Sequence, residues 1–444
     1  MKKLFDLFDF GDSNQPFQGK VSTITADELH NLRFGNGDGI VMGKHPFTEM
    51  LMTYDGYAAN TILIGPSRSG KSASTTIPTG FSWKDKAFFL DLKGELWQYT
   101  SGFRKEKLHQ NIIKFAPYCT DGTSVRWNPL SEIRFGTEHQ NNDIKVMASF
   151  MLQPELQHET NFNIREALIQ KLSDIILNNF KRCDEKGLPY PTPEFLVNDL
   201  ELLKHDETSS LTQRIQSALS IYANPTIAQN TSDLSLVDGN IKNNPDFSIH
   251  DFINGEGKQK TSIYFVCSIQ ESKEVWPLAN LMVQLILYRR FEKAPIEDLV
   301  PQNHLLMVLD DFLKLQMEHF EDMLSQTARH STSLLLTCDD IDELAHIYPQ
   351  YEDILSKCAV KVYYAPESKP GHTAEQIAIS LNTFRRSSKN IVMEQEIYDM
   401  GFYKELIFLH DYPPIYTDRI PFYLIPTFLN NAKIKPAEKQ WYKE

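Results

Sequence analysis

The stretch TILIGPSRSGKSASTTIP, residues 61–78, constrains this chain more than any other. A short apolar run ends in glycine, and the pattern G-x-x-x-x-G-K-[ST] then fits at Gly65, Gly70, Lys71 and Ser72. Glycines at those places let the backbone curl until its N–H groups surround phosphate oxygens. A helix that follows adds the positive end of its dipole. Residues Gly65, Pro66, Ser67, Arg68, Ser69, Gly70, Lys71 and Ser72 therefore read as a phosphate cradle for ATP. Lys71 would reach the β- and γ-phosphates, and Ser72 would offer its hydroxyl to Mg²⁺.

A bare match to this pattern also arises by chance, so its surroundings decide. NTILIG (60–65) reads as a buried parallel strand, and KAFFLDL (86–92) and NIIKFAP (111–117) read likewise. After residue 260 the same signal resumes in TSIYFVCS (261–268), HLLMVLD (304–310), SLLLTCD (333–339) and AVKVYYA (359–365), with the helical VWPLANLMVQLILYRRFEK between. Between about 135 and 250 the spacing is helical instead. NNDIKVMASFML, NFNIREALIQKLSDIILNNF, TPEFLVNDLELL and SSLTQRIQSALSIYA are helices, and the polar stretch 232–259 reads as turns. The expected fold class is α/β with a mostly parallel sheet and an inserted all-α domain. The expected partition is a leader at 1–34, a nucleotide-binding domain at 35–134 and 255–430, the helical insertion at 135–254, and a tail at 431–444.

A nucleotide cradle does not by itself hydrolyse anything; a second acidic site must hold the metal and orient water. HLLMVLDDF supplies it, because a buried strand that ends in carboxylates delivers them to the edge of the sheet where the phosphate loop sits. Asp310 is expected to bind Mg²⁺ and Asp311 to polarise the attacking water. The competing reading is a strand followed by a helix-capping acidic pair.

The remaining numbers exclude more than they propose. The 444 residues exceed one small domain. No run of eighteen apolar residues is present, so no membrane span is expected, and MKKLFDLFDF is not a signal peptide. Five cysteines, none in a C-x-x-C pair, fit a reduced cytoplasmic setting without a zinc site. A net charge of −13 disfavours broad binding to DNA, though not a local basic channel. His304, His319, His330, His346 and His372 lack ligand spacing and read as surface or packing residues. Arg385 and Arg386 read as a solvated loop.

The chain resembles the type IV secretion coupling proteins, the TraG/TraD-like ATPases of bacterial conjugation and effector export. The likeness rests on GPSRSGKSASTTIPTGFSW, on FFLDLKGELWQYTSGFR with Asp91, Lys93, Gly94 and Glu95, on RWNPL, VLDDF and LLLTCDDIDELAHIY, and on VKVYYAPES and HDYPPIYTDRIPFY, over residues 35–425. It implies a RecA-like nucleotide-binding domain, assembly as a hexameric ring, and transfer of a cargo protein or relaxase–DNA complex to a secretion channel or its inner-membrane components. It also implies an arginine acting across the subunit interface. Arg329, just before the strand that follows Asp310, suits that role; the alternative is a solvated helix-end arginine.

Three departures from the family pattern shape the expectation. Asp310-Asp311 stands where the family has Asp-Glu, and one missing methylene can leave a catalytic carboxylate out of reach. Asp339, a further catalytic candidate, stands where the family has glutamine; an ionised aspartate can only accept hydrogen bonds and repels phosphate, so either that role is lost or Asp339 binds Mg²⁺ or is protonated. The family's N-terminal membrane anchor is absent, so recruitment by partners at the inner face of the membrane is expected. The favoured reading is an ATP- and Mg²⁺-dependent coupling ATPase. A non-hydrolysing nucleotide-binding platform and a RecA-like DNA-pumping motor remain open beside it.

Overall fold

The computed structural model describes residues 17, 20–22, 24–32, 34–35, 38–48, 50–55, 59–202, 210–255, 259–293, 304–367, 371–410 and 412–437. Most of the 1–34 leader and residues 438–444 of the tail lie outside them. The chain divides into two compact units, one made of Met1–Trp83 and Leu335–Leu429, the other of Lys84–Leu334 and Asn430–Glu444.

Nine strands carry the α/β core: β1 Asn60–Ile64, β2 Lys86–Asp91, β3 Asn111–Phe115, β4 Thr261–Val266, β5 Leu305–Leu309, β6 Thr332–Cys338, β7 Cys358–Tyr364, β8 Lys404–Leu409 and β9 Ile415–Asp418. Every residue of β1, β2, β5 and β6 is buried. That is why their centres are continuous apolar runs rather than alternating: parallel strands are covered on both faces.

In the first unit the strand order is β9-β8-β7-β1-β6. β1 pairs in parallel with β6 and β7, and β8 and β9 add antiparallel edges. The same unit holds a three-stranded antiparallel sheet of Phe34–Gly35, Leu51–Tyr54 and Ile40–Lys44, which the sequence pattern did not announce.

In the second unit the order is β5-β2-β4-β3, all parallel. Its helices include Gln140–Met151, Phe162–Lys186, Pro193–Leu202 and Ser210–Leu219, each on a segment whose spacing predicts one. Asn161 caps the longest of them through its side-chain oxygen. The stretch read as turns differs. Leu234–Val237 and Asn240–Asn243 form a two-stranded hairpin, so the segment between 135 and 254 is not wholly helical. The reason is local: Asp238 and Gly239 both take positive φ, 52° and 77°, as a two-residue hairpin turn requires.

Two family-like blocks serve packing. Trp127 of RWNPL is fully buried, stands edge-on to Phe115, and donates its indole N–H to Glu132 at 3.1 Å. Arg104 is also fully buried. It donates to Ser262 Oγ and to the Asp85 carbonyl, each at 2.9 Å, and burial pushes its pKa down to about 10. At the far end of the chain, Ala437 N donates to Ser101 Oγ at 3.1 Å, so the described end of the tail docks on the helix Glu95–Glu106.

Candidate functional site: a phosphate loop and a paired-carboxylate turn

The loop after β1 is positioned by its neighbour β6. Cys338 lies opposite Ile64, and Gly65 N donates to the Cys338 carbonyl at 3.3 Å. Asp339, the first residue past β6, is thereby delivered to the loop. Arg68 adopts a left-handed conformation, φ 67°, at the loop's tip. Gly70 has φ 96°, and a Cβ there would come within 1.5 Å of Arg419 Nη1. A side chain at 70 would be strained by this φ and would displace the Arg419 guanidinium.

Lys71 is 8% exposed. Its ammonium donates to the Gly65 carbonyl, to the Pro66 carbonyl at 3.3 Å and to Asp339 Oδ1 at 2.8 Å. Ser67 Oγ donates to the other Asp339 oxygen at 2.8 Å. Asp339 therefore bridges the loop's lysine and its serine. Ser69 Oγ is buried with no hydrogen-bond partner among the described residues. A buried hydroxyl left without a partner is costly, and a phosphate oxygen would supply one.

Ser72 opens the helix that follows. Its first turn, Ser72–Thr76, is wound wider than an α-helix, with Ile77 N bonding back to the Ser72 carbonyl; Ile77–Ser82 is α-helical. Pro78 lies just beyond the wide turn and has no N–H to give to an α-helical ladder. Thr75 on this helix shares a hydrogen bond of 2.9 Å with the Tyr364 hydroxyl of β7. Behind the loop, Arg419 donates Nε–H to the Phe402 carbonyl at 2.8 Å and lies 4.2 Å from the centre of the Phe402 ring. Glu405 is fully buried, and burial pushes its carboxyl up to about 8 against the opposing pull of Arg419.

The acidic pair belongs to the second unit. β5 and β2 are parallel, with Leu309 opposite Leu90, so Asp310 and Asp91 emerge side by side. Burial pushes the Asp91 carboxyl up to about 6; a 2.7 Å bond from Trp97 N works against this, and the charge of Asp310 adds to it. Asp310 is 5% exposed and pairs with Lys93 at 3.5 Å. Burial works against the Lys93 ammonium, but Asp310, Asp311 and Glu95 together raise its pKa above the ordinary value. Asp311 takes φ 52° and pairs with Lys314 at 3.3 Å. A turn this tight swings Asp311 away from the strand axis that Asp310 continues.

Arg329 is exposed on the short turn Ala328–His330, immediately before β6. Ser331, two residues on, accepts a bond from Leu305 N at the start of β5. Arg329 thus lies a strand's length from Asp310, about 16 Å at the usual rise. Sequence reasoning assigned no role to Lys93, Lys314, Tyr364 or Arg419. Lys93, Tyr364 and Arg419 had a signal, since they sit inside the D-x-K-G-E, VKVYYAPES and HDYPPIYTDRIPFY blocks; Lys314, just beyond VLDDF, had none.

The profile of the family described as type IV secretory system conjugative DNA transfer matches residues 20–186 and 166–381. The chain is similar to the conjugal transfer protein TraG of Escherichia coli, with 26% identity over 396 residues, 76% of this chain and 60% of TraG. It is similar to VirD4 of Agrobacterium fabrum, with 23% identity over 379 residues, 80% of this chain and 55% of VirD4. The chain thus spans little more than half the length of these curated relatives. Its fold is similar to that of the bacterial conjugative coupling protein TrwBdeltaN70 in an unbound form, with TM-score 0.65 and 14% identity over 92% of this chain and 97% of that one. The coupling protein TrwB in complex with ADP and Mg²⁺ matches with TM-score 0.65 and 15% identity, over 91% of this chain and 94% of that one. The fold is therefore a RecA-like P-loop α/β fold with a mostly parallel sheet. Among the described residues, no helix is long and apolar enough to cross a membrane.

Proposed function

This chain belongs to the type IV secretory system conjugative DNA transfer family, and from that premise we propose that it is a coupling-protein-like ATPase. It engages cargo, a protein or a relaxase–DNA complex, and moves it toward a type IV secretion channel. The observation that carries the reading is Lys71, held inside a glycine-turned loop at the end of a parallel strand and facing the first residue after the neighbouring strand. TrwB, whose fold this chain shares, has been captured with ADP and Mg²⁺.

In this reading Lys71 leaves Asp339 for the phosphates, and residues 65–70 line the cradle with backbone N–H groups. Ser72 and Asp310 hold Mg²⁺, which when bound neutralises the charge that develops between the phosphates. Asp311 turns from Lys314 to orient water, and Arg329 serves a neighbouring copy in a hexameric ring. Residues 135–254 form the insertion that meets cargo, between nucleotide-binding segments 35–134 and 255–430. The chain works in the cytoplasm, held at the inner face of the membrane by channel components.

A second reading, a nucleotide-gated platform without turnover, is favoured by one observation. Both carboxylates that should act late, Asp311 and Asp339, are tied to lysines. Steady-state Mg-ATP hydrolysis by wild type beside Lys71→Ala and Asp311→Glu, over a range of protein concentrations, separates the two. Turnover that rises with concentration and vanishes in Lys71→Ala supports the motor. Nucleotide binding without turnover, restored in Asp311→Glu, supports the platform.

A further inference from the structure

Beside the Asp310–Asp311 turn lies a cavity of about 240 Å³. Three segments wall it: the turn itself at Lys314, the start of the helix Ser272–Phe291 at Lys273, Glu274, Trp276 and Pro277, and the short helix Gln153–Leu156 at Gln153. Gln153 is 5% exposed, and its Nε2 has no hydrogen-bond partner among the described residues. An amide donor left unpaired in the interior is destabilising, so a ligand that accepts from it gains affinity.

The walls have a consistent chemistry. Lys273 and Lys314 are cationic and exposed, and the first turn of the long helix adds its partial positive charge. Trp276 and Pro277 give an apolar side. Glu274 opposes the anionic character of a ligand, but its carboxylate already accepts the Tyr118 hydroxyl. The cavity thus offers two ammonium groups and an amide N–H beside an aromatic ring, which suits a carboxylate carried on a small apolar body. A nucleic-acid strand presents a phosphate at every nucleotide and is matched by a long basic groove. Two lysines and one glutamate do not make such a groove.

Lys314 faces two ways. It lines the cavity and it is the 3.3 Å ion-pair partner of Asp311. An anion seated among Lys273, Lys314 and Gln153 competes with Asp311 for the same ammonium.

We propose that this cavity is a subsite for a carboxylate-bearing peptide segment, and that its occupation draws Lys314 away from Asp311. The link to turnover rests on Asp311 being the catalytic carboxylate; the binding does not. Cargo engagement and ATP hydrolysis would then be coupled through one lysine.

The test uses the full chain and the probe peptide acetyl-Ala-Leu-Asp with a free C-terminus, beside its C-terminal amide with Asn in place of Asp. The fluorescence of Trp276, taken as the difference between wild type and Trp276→Phe, reports occupancy. A saturable change is expected, weakened about tenfold in Lys273→Gln and with the neutral peptide, the equivalent of one lost charge-assisted bond. No saturable change, or equal binding of the neutral peptide, overturns the site. Saturation by a thymidine oligonucleotide or inorganic phosphate and not by the peptide overturns the peptide assignment. In the hydrolysis assay the peptide should raise turnover at least about twofold, and Lys314→Gln should raise it without peptide and remove the response. Peptide binding with unchanged turnover in an active enzyme overturns the coupling. A wild type that binds the peptide yet never turns over upholds the site and refutes the ATPase reading instead.

Discussion

Lys71 Nζ stands 2.8 Å from Asp339 Oδ1, an ion pair between the phosphate loop and the first residue past the adjacent strand. The lysine side chain is 9% exposed and that of the aspartate 35%, so the pair is partly shielded from water. Nucleotide must take this lysine from the carboxylate and must tolerate the carboxylate's charge. Replacing Asp339 by Asn removes both penalties while keeping a group that can bond Ser67. Asp339→Asn should tighten Mg-ATP binding about three- to tenfold, as expected for one partly exposed pair. Titration calorimetry against wild type checks it, and weaker binding would show that Asp339 is a ligand in its own right.

Asp311 is one methylene short of the glutamate that its position takes in the family, and Lys314 holds it at 3.3 Å. Asp311→Ala should leave nucleotide affinity within about twofold and abolish turnover. Asp311→Glu should raise single-turnover rates by about tenfold or more, since a misplacement near 1 Å costs on the order of 10²-fold. Equal rates for Asp311→Ala and wild type would remove Asp311 from the chemistry.

Gly70 allows two things at once, a φ of 96° and the close approach of Arg419. Gly70→Ala should cost about 2 kcal/mol or more, from strain plus a clash at 1.5 Å. The double variant Gly70→Ala/Arg419→Ala relieves the clash and keeps the strain. Denaturant unfolding should therefore show it losing less than the two single variants summed. Strict additivity would mean that Arg419 does not back the loop.

Glu405 has a carboxyl raised from 4.5 to about 8 by burial, so folding favours its protonated form. That contribution to stability is fully present below about pH 4.5 and is lost as the pH rises through about 8. Melting curves of wild type should fall across this window. Glu405→Gln, neutral at every pH, should flatten the fall and melt higher than wild type above pH 8. Parallel curves for the two proteins would sink this assignment.

The strands of the core were legible from their apolar runs, because a parallel strand covered on both faces is apolar through its centre. Leu305–Leu309 is apolar at every position, and Asn60–Ile64, Lys86–Asp91 and Thr332–Cys338 carry such runs with polar residues at or near their ends. Glycine spacing marked the turn that follows Asn60–Ile64, where Gly70 takes a φ of 96°. Helical spacing located Phe162–Lys186, but the hairpin Leu234–Asn243 went unseen: its strands, LSLV and NIKN, are short and no residue in them is buried, and only Asp238-Gly239 marks the turn.

What sequence could not give is which side chains face each other across the sheet edge. The pairing of β1 with β6 brings Asp339 to Lys71, and the pairing of β5 with β2 brings Asp91 and Lys93 to Asp310. These residues lie hundreds of positions apart along the chain, and strand order, set by how the hydrophobic faces are covered, decides which meet. Charge at a site is then fixed by neighbours and burial rather than by residue type. The sequence alone determined that a phosphate loop and a carboxylate pair exist; the tertiary structure decided that lysines hold Asp311 and Asp339.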